Sequence, residues 1–319
     1  MVKEVRKVIS FGKSSFVVSL PKKWVSQHNI EKGSVLYLTE HDNSIILTLN
    51  EQPEEEDSKI TIDIKDYDSY QIQRLINAAY IANYREIKIV GRNLRNMSEA
   101  VLDIIHNLIA LEVLEFDSTQ ISTKDFLDMN KIDIIEVVRK MDIVTRYMVK
   151  DMISCFDDDI SKNIQLRDKD VNRLSYLNFR AIRYGLDHQS AVLKKYDLRA
   201  KDLLNLYWTA YHLEQVADEA KRISRSIINS KEVRKHKQEI TDILEDLKTY
   251  YLSAFKYLLA RDRHSAIKVS TKKQGISQAI DDIYFKVKLD AHGYYLLDRA
   301  RRMLGAIHEL NRLTYQRVD

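Results

Sequence analysis

The chain has 319 residues, a formal net charge of +4, 31% charged residues and a single cysteine, Cys155. That length supports two or three domains with a large core, and a lone cysteine excludes an intrachain disulfide and points to a reducing compartment. No apolar run is long enough to span a membrane and the N-terminus has no secretory apolar segment, so a soluble, cytoplasmic protein is expected.

Seven Gly and two Pro are very few, and both prolines, Pro21 and Pro53, lie early in the chain. Beyond Glu54 nothing removes a backbone donor, which favours long helices. The first fifty residues read differently. Strands are expected at Val5 to Ile9 and Phe16 to Leu20 around the turn Phe11-Gly12-Lys13-Ser14-Ser15. Pro21 opens a short helix, Lys22 to His28. Two more strands, Val35 to Thr39 and Ile45 to Leu49, flank a turn at His41 to Ser44. Such short strands cannot bury a core alone, so this unit should pair with a second copy. Gly12-Lys13-Ser14 mimics the end of a nucleotide-binding loop, but the required first glycine would fall at Lys7 and the following segment reads as strand, so nucleotide binding is rejected.

This order of a G-K-S-S turn, a strand ending in L-P-K-K-W, a short helix, a Gly turn and a hairpin resembles the SpoVT/AbrB swapped-hairpin domain. The resemblance implies an intertwined homodimer that usually binds DNA. Up to residue 23, Lys3, Arg6, Lys7, Lys13, Lys22 and Lys23 oppose only Glu4, a local basic excess that suits phosphate contacts. With Ser14 of the turn they form the candidate DNA-binding set. The competing reading is that scattered lysines only blunt edge strands.

Gln52 to Ser58 is an acidic linker. After it come strand 59–64, helix 67–84, strand 86–90, helix 98–108, strand 111–116 and a further strand at 120–122. That alternation is a small α/β connector over 58–128, with nothing in it that looks catalytic. From Asn130 to the end six helices are expected, near 130–157, 167–187, 198–229, 234–261, 273–291 and 293–317. Weak self-similarity between the halves suggests two three-helix repeats. The aromatic run Tyr250, Tyr251, Phe255 and Tyr257 reads as core packing, His212 as a helix-surface residue, and the arginines of the last helix as a solvated face.

On the third helix, Glu214 and Asp218 stand four apart, so both carboxylates project from one side beside an apolar stripe. Such a pair either takes a cation or is neutralised by Lys221 or Arg222. The segment L-E-Q-V-A-D-E-A resembles that of PhoU domains, the helical regulators of phosphate uptake, and the resemblance spans about 190 residues. It implies acid pairs that bind metal. In this sequence the matching positions are Asp168 and Asn172, then Glu214 and Asp218, and in the second repeat Ser277 and Asp281, then Glu309 and Leu313. A divalent or ferric metal is therefore expected through Asp168, Asn172, Glu214 and Asp218, and more weakly through Asp281 and Glu309.

The fold class expected is α+β, mostly α: a swapped-hairpin β domain at 1–51, the α/β connector at 58–128, and a pair of PhoU-like three-helix bundles at 130–319. The combination resembles archaeal-type regulators of phosphate uptake. It implies a homodimeric, DNA-binding regulator rather than an enzyme, with phosphate transporter or sensor components as further partners. The alternatives are a dimeric adaptor that does not bind DNA, or a metal-dependent carboxylate-bundle enzyme, which would need acid sets on several helices.

Overall fold

The computed structural model describes residues 4–13, 15–41, 44–49, 58–187 and 198–316. The chain divides into two compact units, Met1–Glu54 and Glu55–Asp319.

In the first unit, β1 (Ile9–Phe11) and β2 (Ser15–Val17) pair antiparallel with Ile9 opposite Val17. The turn between them uses Gly12 at φ 71°, a left-handed conformation that suits a residue without Cβ. That turn sets the register, and β1 lies later in the chain than the apolar run alone suggests. Helix α1 (Lys22–Gln27) follows Pro21, and β3 (Tyr37–His41) and β4 (Ser44–Thr48) form a second, separate antiparallel pair. None of the described side chains of this unit is buried. Phe11 and Phe16 are 72% and 75% exposed, and Val5, Val8, Ile9 and Val35 are also open.

The second unit begins with a mixed sheet. Its strands are β5 (Lys59–Asp63), β6 (Glu86–Val90), β7 (Leu111–Phe116) and β8 (Gln120–Asp125), in the order β5-β6-β8-β7. β5 and β6 run parallel, so they need a crossover, and α2 (Ser69–Ile81) supplies it. Asp68 and Gln71 cap α2 reciprocally. Helix α3 (Leu94–His106) leads to β7 and begins four residues earlier than expected, with Leu94 buried. Ile62, Ile89 and Ile121 are register neighbours and are buried, while Thr61 and Lys88 between them face outward. One face of the sheet thus packs on Ile72, Ile76, Val101 and Ile105 of the two helices. Gly91 is obligatory where β6 ends: a Cβ there would lie 2.8 Å from Ile64 Cγ1.

A 3-10 turn, Met129–Lys131, leads into the helices. These are α4 (Ile134–Ser154), α5 (Ser161–Asp187), α6 (Ala200–Asn229), α7 (Lys231–Lys235), α8 (Lys237–Ala260), α9 (Arg263–Ser270), α10 (Lys272–Lys286) and α11 (Ala291–Tyr315). Asp133, Ser230, Asp262 and Asp290 cap the starts of α4, α7, α9 and α11. α5 begins six residues before its expected start, where Asp159 accepts from the Ser161 amide and hydroxyl. Arg261 takes a left-handed conformation that ends α8. Two short helices, α7 and α9, break the expected pattern of six. The protein is mostly α with small sheets, and the helices before and after Ser230 feed one core: Met141, Met148, Leu213, Ala217, Leu247, Phe255, Met303 and Ile307 belong to the same cluster.

The expected boundary near residue 129 is not a break between compact units. Tyr176 of α5 packs into the core of the connector. Beside it Arg180 is fully buried, with Nη1 donating to Asp125 Oδ1 at 3.0 Å, Nη2 to Asp125 Oδ2 at 2.5 Å and Nε to Asn83 Oδ1 at 2.9 Å. Its guanidinium lies 4.5 Å from the centre of the Tyr80 ring. Arg85 gives Asp125 a second cation at 2.6 Å.

Candidate functional site

Helix α6 buries Leu213, Val216, Ala217, Ala220, Ile223 and Ile227, which recur at helical spacing. Glu214 and Asp218 lie at the edge of that face and are half-buried. Lys221, one turn beyond Asp218, places its Nζ 2.7 Å from Asp218 Oδ1 and 2.7 Å from Asp168 Oδ2 on α5. Arg222 Nη2 holds the other oxygen of Asp218 at 2.6 Å. Asn172 turns its Nδ2 toward Asp168 Oδ2 at 3.4 Å. The structure therefore gathers Asp168 and Asp218 around one ammonium, with Asn172 against Asp168. Burial would depress the pKa of Lys221, but its hydrogen bonds to Asp168 and Asp218 outweigh that and raise it.

Glu214 is the unbalanced member. Burial, with the carboxylates of Asp218 and Asp168 adding to it, pushes its carboxyl up to about 7. Tyr176, hydrogen-bonded to Asn77, is pushed up by its own burial and by Glu214 nearby. This links the carboxylate edge of α6 to the contact between α5 and the connector.

The set does not fit a metal ion as it stands. A hard cation needs several oxygen ligands at once, and the position between Asp168 and Asp218 is taken by Lys221. Among the described residues no group of three or more His, Cys, Asp or Glu is placed to hold a metal. Of the two acids expected to bind more weakly, Asp281 pairs with Arg301 and Glu309 with Arg312.

Two surface expectations are corrected. His212 is buried, with Nδ1 3.3 Å from Gln215 Oε1, and burial lowers its pKa. Arg299 on the last helix is buried against the Tyr295 ring and lies 3.6 Å from Glu219. Tyr250, Tyr251 and Phe255 are core residues, with Tyr251 donating to buried Asp142 at 2.7 Å. Cys155 is buried and its thiol is pushed up to about 11, so it is no nucleophile at neutral pH.

In the first unit Lys7, Lys13, Lys22 and Lys23 are exposed, and Arg6 pairs with Glu4. Lys3 and Ser14 lie outside the described residues. Lys13 sits in the β1–β2 turn, and Lys22 and Lys23 in the first turn of α1. What the sequence pattern does not reveal is the reach of Lys221 to a second helix. The only local signal is the i, i+3 spacing of Asp218 and Lys221.

Residues 138–227, which take in most of α4, all of α5 and α6 but for its last two residues, match the PhoU domain. The first three long helices are thus similar to those of the PhoU domain. Residues 9–62 match a second family, described as antidote-toxin recognition MazE, bacterial antitoxin. Neither a curated protein nor a solved structure matches the chain. The match ends within α6, so α7 to α11 lie outside it. Both matched families are regulatory. No helix among the described residues is long and apolar enough to cross a membrane.

Proposed function

We propose that the chain is a cytoplasmic, homodimeric regulator of phosphate homeostasis whose first unit binds DNA and whose PhoU-type helices report a signal to it. The observation that carries this reading is the first unit itself. It presents exposed lysines on one turn and one helix start, and it buries none of its described apolar side chains. Paired with a second copy, such a unit gains a core and doubles its positive charge, which suits the two halves of a symmetric DNA site. The match of residues 9–62 to an antitoxin family and of 138–227 to PhoU supports a regulator.

Each phosphate neutralised by a lysine releases condensed counterions, so affinity should fall steeply with salt. The test is a titration of the full chain against fragments of its own genome at several salt concentrations. Lys22→Ala with Lys23→Ala should weaken binding to all sequences. It should also flatten the log–log salt slope by about 0.9 for each phosphate left without its lysine, hence by up to about four in a dimer. Absence of binding at low salt would instead favour an adaptor whose first unit only dimerises and whose helices engage a phosphate transporter or its kinase.

A further inference from the structure

We propose that Lys221 is a tethered cation standing at the place where the acid pairs of this PhoU-type repeat would take a metal, so that the repeat is completed from within the chain and holds no metal there. The proposal rests on the match to PhoU but not on DNA binding, so the two can fail separately.

The geometry carries it. Asp168 comes from α5 and Asp218 from α6, and the ammonium of Lys221 lies 2.7 Å from an oxygen of each. It therefore joins two helices through a single positive centre, as a bridging metal would. Lys221 is largely enclosed, its side chain 16% exposed, so this is no mobile surface lysine. The charges of the two aspartates also balance: Asp168 and Asp218 are offset by Lys221 and Arg222. Adding a divalent ion would leave excess positive charge in a half-buried place, where uncompensated charge is costly. Asn172 completes the picture, because it presents its donor to Asp168 rather than an oxygen to a cation. A fixed ammonium cannot dissociate, exchange or be chelated. The repeat would then keep its shape whatever the metal supply.

The experiment measures Mn2+ bound to the full chain after equilibrium dialysis. Wild type should hold no Mn2+ that depends on Asp168 or Asp218. Lys221→Ala releases the two aspartates, with Glu214 beside them, and should gain one equivalent per chain, at least an order of magnitude tighter than wild type; adding Asp168→Asn should remove it. Lys221→Met, which keeps the apolar stem and removes the ammonium, provides a second neutral variant with the same expected gain if the alanine form is poorly folded. A readout needing no variant is the rate at which an amine-reactive reagent acylates Lys221, followed by mass spectrometry of the peptide. That rate should be slow and identical in Mn2+ and in EDTA. Asp168-dependent Mn2+ in wild type, a neutral variant that gains none while folded, or a Lys221 rate that changes severalfold between Mn2+ and EDTA would each overturn the proposal.

Discussion

Glu214 is the residue whose charge the site does not balance. Its folded pKa of about 7 lies above the unfolded 4.5, so the folded chain holds that proton more tightly. The stabilisation from protonated Glu214 is therefore complete below pH 4.5 and is lost as pH rises through about 7. The shift corresponds to at most about 3 kcal/mol. Glu214→Gln should leave stability near pH 5 little changed and raise it near pH 8 by roughly 1–3 kcal/mol, removing the slope between. Denaturant unfolding at both pH values measures this, and equal slopes in the two proteins would reject it. The carboxylate pair itself was legible, because i, i+4 spacing needs only a helix. Its neutralisation was half legible. Arg222 and Lys221 were near in sequence, but the bond from Lys221 to Asp168 spans 53 positions and depends on how α5 packs on α6. Likewise His212 and Arg299 look like surface residues by type, and only tertiary packing buries them.

At the level of elements, the join between the sheet and the helices is held by a node that sequence patterning hides. Asp125 ends β8 and Arg180 lies deep in α5. Neither is flagged by periodicity, since charged residues normally mark outward faces. Removing one partner of a buried pair strands the other without solvent. Asp125→Ala leaves Arg180 uncompensated and should destabilise the second unit by roughly 3–5 kcal/mol. Arg180→Met should do less harm, because Asp125 keeps Arg85. Urea unfolding of both variants gives the order; a larger loss for Arg180→Met would contradict the arrangement. Element types were otherwise readable in order, with β6 and β7 at their expected limits. Helix ends were less so. The early start of α5 rests on a side-chain cap, and the break between α7 and α8 on the local conformation of His236, neither of which apolar spacing encodes.

For the whole molecule, scarcity of glycine and proline after Glu54 translated into long helices, and the cluster of short strands before it into a separate unit. That the earlier and later helices share one core was not legible, because likeness between halves would not say that they merge. The first unit makes a prediction about assembly. None of its described apolar side chains is buried and its two sheets are each two-stranded, which is below what a stable fold needs. The full chain should be a dimer at micromolar concentration by sedimentation, and Phe11→Asp with Phe16→Asp should shift it toward monomer. A monomeric wild type, or a double variant that stays fully dimeric, would remove the swapped-hairpin reading.

α5 runs without interruption from Ser161 to Asp187, and it carries Asp168 near one end and Arg180 near the other. The two positions are about 18 Å apart along the axis at 1.5 Å per residue. A rod clamped by salt bridges at two places behaves as a lever. A tilt of ~5° imposed at Asp168 would displace the Arg180 end by roughly 1.6 Å, of the order of the helix shifts used in switching proteins. Because Arg180 is seated on Asp125 and Asn83, that motion would be delivered to the end of an interior strand of the sheet.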